Sequence, residues 1–173
     1  MNLVRRKINT RIHLNNTIER HPVPVLGIEY KVKIIYKNIK ITELDVEGRT
    51  IKISLPNKYK KMSNTEILDL AIEKMYEQIA KVEIERAMEK TRIMLGFAPD
   101  EYEIKEISSL GKCENNKITI NPQVVKYNRR ILDYVVLHQY CHLKYKTHSK
   151  GFMKLIEKYE PEYKKCEEVL LNI

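Results

Sequence analysis

Three features of the 173-residue chain predict an α+β fold. Apolar and polar residues alternate between Tyr30 and Leu55, an apolar stripe at helical spacing runs from Ile67 to Ala80, and a second helical segment carries His138 and His142 four residues apart. The architecture expected from these features is a twisted, mostly antiparallel sheet. It combines the N-terminal strands with the 102–121 region and packs against a long backing helix and the histidine helix. One domain over 1–173 is expected, with a β-rich part at 1–60 and a helical part at 61–173 holding the site.

Tyr30, Val32, Ile34 and Tyr36 fall on one face of the first strand and Lys31, Lys33 and Lys37 on the other, and Ile39 and Ile41 continue the alternation. Ile51, Ile53 and Leu55 repeat the pattern, and Glu47-Gly48 is the turn expected between antiparallel strands. Ser63-Asn64-Thr65-Glu66 has the spacing of a capping box and opens the long helix, which should run to Leu95 and stop at Gly96, with Pro99 beyond it. Short strands follow over 102–107 and 117–120, the second closed by Asn121-Pro122. The histidine helix should begin at Arg129 or Arg130 and end soon after His142. Ser149 caps a helix bearing Phe152, Leu155, Ile156 and Tyr159, and Pro161 separates it from a last helix with Tyr163, Cys166, Val169 and Leu170.

Three of the five histidines, His138, His142 and His148, lie within eleven residues. On a helix, positions i and i+4 share a face, so two imidazoles can reach one ion at about 2.0–2.1 Å. A third histidine just past the helix end can turn back across that face and leave one tetrahedral position open, the arrangement of a catalytic site. Glu157, Glu160 and Glu162 are rivals for the third place, because a downstream carboxylate serves in other zinc hydrolases; His148 is the expected third ligand. Position 139 breaks the H-E-x-x-H pattern, since Gln stands where a Glu would take a proton from water. An amide keeps the shape of the carboxylate but accepts no proton. The chain is therefore expected to hold one zinc ion and to be inactive. Gln139 is then either an isosteric knockout of an active enzyme or the natural state of a chain that kept binding alone. The smallness of the change with both flanking ligands intact favours the knockout.

The charge of +9, from 32 basic and 23 acidic residues, allows a nucleotide, a nucleic acid or an acidic protein as partner. Basic clusters sit at Arg5-Arg6-Lys7, at Lys58-Tyr59-Lys60-Lys61, at Arg129-Arg130 and around the histidines at Lys144, Lys146 and Lys150. A solvated mixed-sign surface explains them equally well. No apolar run approaches the roughly 18 residues of a membrane span, and Met1–Lys7 lacks a signal-peptide core, so a soluble cytoplasmic protein is expected. Three cysteines without CxxC spacing suit reduced thiols. Nothing in the sequence speaks to oligomeric state.

From about Ser108 onward the chain resembles the YgjP-like family of metal-dependent hydrolases, the YgjP-like metallopeptidase domain, which is related to SprT-like zincins. Residues 133–143, Asp-Tyr-Val-Val-Leu-His-Gln-Tyr-Cys-His-Leu, are similar to D-Y-V-V-x-H-E-L-x-H-L. His148-Ser149 with Phe152, and Pro161-Glu162-Tyr163, are similar to the H-S-x-x-F-W and P-x-Y that follow. Gly111 and Cys113 with Ile118-Thr119-Ile120-Asn121 resemble W-G-S-C and I-x-L-N. Departures are Leu110 for Trp, Lys112 for Ser, Tyr140 for Leu and Met153 for the second aromatic. The resemblance implies a zincin-like fold, His138, His142 and His148 as metal ligands, and Gln139 at the place of the base. It implies either peptide substrates or nucleoside triphosphates such as UTP, and for peptides it offers Lys117–Asn121 as the edge strand that pairs with substrate. A non-enzymatic zinc-containing module that binds protein or DNA is the reading from another class.

Around this block, Cys141 is expected to be a small buried residue and Cys113 a core thiol near the site. Tyr140 and Tyr145 are expected to pack rather than to stabilise an oxyanion. Asp133 should serve the helix N-terminus in preference to a histidine ring. His13 and His21 read as surface residues, and Asn121 and Asn128 as turn and cap.

Overall fold

A computed structural model describes residues 9–13 and 17–171, and side chains from residue 18 to 171. The Arg5-Arg6-Lys7 cluster and the His13 side chain lie outside the described residues. The chain forms two compact units, 1–76 and 77–173, with the boundary inside the long helix.

In the first unit β1 (Asn9–His13), β2 (Thr17–Val25), β3 (Ile28–Lys37), β4 (Glu43–Glu47) and β5 (Thr50–Pro56) form one sheet in the order β1-β2-β3-β5-β4. Val32 and Ile34 of β3 lie opposite Ile51 and Ile53 of β5, and all four are buried. These are the apolar rows that alternation predicts, but β3 and β5 run parallel rather than antiparallel. The reason is the connection. β3 stops at Lys37, short of Ile39 and Ile41, the chain reverses over 38–42, and β4 lies antiparallel to β5 on its outer side. Ile41 is accordingly left 80% exposed. The Glu47-Gly48 turn joins β4 to β5 as expected.

The long helix α1 (Asn64–Leu95) opens on the capping box: Ser63 Oγ accepts from Glu66 N at 3.3 Å, and Glu66 Oε2 accepts from Ser63 N at 3.3 Å. Its first turns bury Ile67, Leu68, Ala71 and Met75, and the Tyr76 hydroxyl donates to the Pro24 carbonyl of β2 at 2.9 Å. At its far end Gly96 adopts φ +76° and its N–H reaches the Arg92 carbonyl at 2.9 Å, the left-handed stop that a residue with Cβ would resist.

The second unit holds the later turns of α1, then β6 (Glu101–Ile104), β7 (Gly111–Glu114), β8 (Lys117–Ile120), α2 (Arg129–Lys144), α3 (Lys150–Tyr159) and α4 (Tyr163–Leu171). The α+β class is borne out, but the strands divide between two sheets instead of sharing one. The second sheet has the order β6-β8-β7, each strand finding its partner within about twenty residues of sequence. The strand expected over 102–107 spans Glu101–Ile104, and β7 had no alternating signature to reveal it.

Ile84, Ala87 and Met88 of α1, Ile118 and Ile120 of β8, and Leu132, Val136 and Tyr140 of α2 are buried in the core of this unit. Tyr140 spends its hydroxyl on the Met88 carbonyl at 3.1 Å, so it packs and is not available to an oxyanion. Asp133 is a correction: it serves neither the helix start nor a histidine, but binds Arg86 at 2.6 Å and Lys90 at 2.7 Å, tying α2 to α1. The helix start is capped by Asn128, whose Oδ1 accepts from Ile131 N at 3.0 Å. No helix among the described residues is long and apolar enough to cross a membrane.

Candidate metal centre

Helix α2 sets His138 and His142 on one face, and the loop into α3 returns His148 to that face. His138 Nε2 lies 3.2 Å from His142 Nε2 and 3.1 Å from His148 Nε2. Nitrogens bound to one tetrahedral ion at about 2.05 Å would sit roughly 3.3 Å apart. Among the described residues these three are the only group of three or more His, Cys, Asp or Glu side chains so converged. The rival carboxylates lie elsewhere: Glu160 and Glu162 hold Arg130 at 2.6 and 2.8 Å, and Glu157 is exposed.

The protons on these rings are constrained by their outer partners. A carbonyl oxygen only accepts, so His142 Nδ1, 3.1 Å from the Tyr145 carbonyl, must carry hydrogen, and its Nε2 presents a bare lone pair. Tyr134 lies one helical turn before His138, its hydroxyl 3.4 Å from His138 Nδ1 and donating to Glu167 Oε1 of α4 at 3.0 Å. Lone pairs of neighbouring imidazoles at such distances repel, and a cation between them removes the repulsion. The donor set is thus chemically suited to a divalent ion.

Phe152 closes the base of the cluster. Its ring centroid is 5.0 Å from His138, 4.7 Å from His142 and 4.7 Å from His148, and the side chain is 1% exposed. Ser149 caps α3 by accepting from Phe152 N at 3.4 Å, which fixes the first turn of the helix that carries Phe152. Cys141, on α2 itself, is buried, and burial pushes its thiol up to about 12, as expected of a packed residue. Cys113 is half-buried on β7.

Burial, then the neighbouring histidines, lowers the His138 pKa from 6.5 to about 4. The unfolded chain therefore takes up a proton on this ring at higher pH than the folded one does. In metal-free protein the stability tied to neutral His138 is complete above pH 6.5 and is lost as pH falls through about 4, amounting to at most about 3 kcal/mol. Urea midpoints measured between pH 7 and pH 4 should fall in that window, and a flat profile would contradict the burial of this ring.

Gln139, 8% exposed, lies beside His138 and against β7. A Cβ built on Gly111 would stand 3.0 Å from both Cγ and Nε2 of Gln139, so the glycine makes room for this side chain. A cleft of about 720 Å³ opens here, lined by Gln139 and His138 with Ser109, Leu110, Tyr134 and Leu170 among others. Lys117–Asn121 is not the edge strand beside it: β8 is central in its sheet, and β7 is the edge that meets Gln139. Sequence reasoning missed β7, Tyr134, Glu167 and the Tyr145 carbonyl as parts of the site. Tyr134 was discoverable from its i, i+4 relation to His138; Glu167 carries no local signal.

No curated protein matches the chain. Among solved structures it is similar to the metallopeptidase zymogen abylysin of Pyrococcus abyssi, at 25% identity and a TM-score of 0.47 over 51% of this chain and 92% of that one. It is also similar to the zymogen jannalysin of Methanocaldococcus jannaschii, at 18% identity and a TM-score of 0.45 over 52% of this chain and 88% of that one. The family model described as YgjP-like, metallopeptidase domain, matches residues 2–172, and the chain accordingly belongs to the YgjP-like metallopeptidase-domain family.

Proposed function

We propose that this chain is a single-zinc peptidase scaffold, with His138, His142 and His148 as metal ligands, which binds peptide but is catalytically silent because Gln139 occupies the place of the general base. The observation that carries the proposal is the convergence of three Nε2 atoms, two of them within 3.2 Å of the third. When bound, zinc supplies a Lewis acid for carbonyl polarisation and water activation. The protein's own part is to present three neutral nitrogens and to hold a hydrogen-bonding side chain at 139 beside them. The Gln139 amide can orient a water or a substrate carbonyl, but it cannot remove a proton.

Peptide is favoured over nucleotide by the lining of the cleft. Among the described residues that lining contains no Lys or Arg, and Glu167 adds a negative charge, whereas a triphosphate calls for cations; Lys146 acts on His142 from outside the lining. The basic residues in the sequence clusters are in part committed elsewhere: Arg129 to Glu83 at 2.6 Å, Arg130 to Glu160, and Lys60 over the Tyr36 ring. β7 is an edge strand that passes Gln139 at Gly111 and, among the described residues, has no strand partner on its outer side, the place where an extended peptide can add. Gln139 itself favours a second reading of the same site, a peptide-binding module that retains zinc.

Elemental analysis of protein purified without chelator should find one zinc per chain. His142→Ala should weaken zinc binding by more than the roughly 10- to 100-fold that follows loss of an outer-shell partner. A zinc-free wild type that takes up no zinc on titration would overturn the proposal.

A further inference from the structure

We propose that Tyr134 and Glu167 are positioning residues for His138, and that α4 is through them a working part of the metal centre. The inference rests on the metal-site reading above and extends it to two residues beyond the three histidines. Tyr134 is 3% exposed, and a phenol so buried needs a defined place for its proton. Glu167 Oε1, 3.0 Å away, is that place. With its proton committed to a carboxylate, the phenol oxygen faces His138 Nδ1 as an acceptor at 3.4 Å. His138 then keeps hydrogen on Nδ1 and turns a bare Nε2 toward His142 and His148. The Tyr145 carbonyl imposes the same tautomer on His142. Two rings are thus set to the same tautomer by different partners, one the Tyr145 carbonyl just after α2 and the other Tyr134 of α2, itself held by Glu167 of α4. Without Glu167 the phenol can instead donate to Nδ1, which drives hydrogen to Nε2, where it blocks the ligand position.

Two measurements test this. In metal-free protein, long-range ¹H–¹⁵N spectra should show His138 as the Nδ1–H tautomer, and Tyr134→Phe should move it toward Nε2–H. Zinc affinity by chelator competition should fall about 10- to 100-fold in Tyr134→Phe and in Glu167→Leu. Glu167→Gln should lose less, because its carbonyl still accepts the phenol proton. The double variant Tyr134→Phe/Glu167→Leu should be no weaker than Tyr134→Phe alone, since the two act in series. Nδ1–H retained together with wild-type affinity in Tyr134→Phe would overturn the proposal. A wild type that shows the expected tautomer but takes up no zinc would sink the metal-site reading and leave the relay standing.

Discussion

Gln139→Glu is expected to raise zinc-dependent cleavage of unfolded protein by about 10² to 10⁴, the usual worth of a general acid or base. The substitution exchanges one amide nitrogen for an oxygen at constant volume, so the contact with Gly111, where Gln139 Nε2 lies 3.0 Å from a built Cβ, should survive. Zinc content should be unchanged, because position 139 contributes nothing to the convergence of the three Nε2 atoms. The gain should vanish with a chelator and return with zinc. UTP, offered in parallel, should remain intact, given a cleft lined by no Lys or Arg among the described residues. If the glutamate variant holds zinc and cleaves neither substrate, silence is not due to the missing base, and the binding-module reading takes over.

Phe152→Ala should cost about 3–5 kcal/mol, the range for deleting a buried aromatic. That is a large share of the 5–15 kcal/mol that holds an ordinary domain together. Phe152 is 1% exposed and packs with Ile131, Tyr134, Leu137, Cys141, Ile156 and Cys166 in the cluster shared by α2, α3 and α4. It also touches all three imidazoles, so the cavity would open under the centre as well as in the core. Urea unfolding should show a lowered midpoint, and zinc should restore part of the loss if the rings can still converge. Phe152→Leu should be milder on both counts. A Phe152→Ala variant as stable as wild type would mean that the cluster collapses freely, against the close packing described.

Most elements were legible because they obey local rules. The capping box at Ser63 and Glu66, the stop at Gly96, the cap at Ser149 and the histidine face of α2 are each written in a few consecutive residues. What escaped depends on distant partners. The direction of β5 relative to β3 is set by where the chain reverses, and Ile41 continues the alternation without joining the strand. The division of strands between two sheets is a matter of pairing, on which period-two patterning is silent. Asp133 seemed poised for a helix end until Arg86 and Lys90, more than forty residues earlier, claimed it. In the site, the histidine spacing marked three side chains that do converge, whereas the carboxylate on Tyr134 comes from α4 and no spacing rule reaches it.

The donor nitrogens come from a single run of eleven residues, so the segment tied together by an ion is short. Loop-closure entropy grows only as about (3/2)RT ln n, and for a span this brief little chain freedom is surrendered on closure. Capture of an ion by this span would therefore need only α2 and the turn into α3 to be formed. On the proposed reading, an ion held there would staple the end of α2 to the start of α3 as well as supply chemistry.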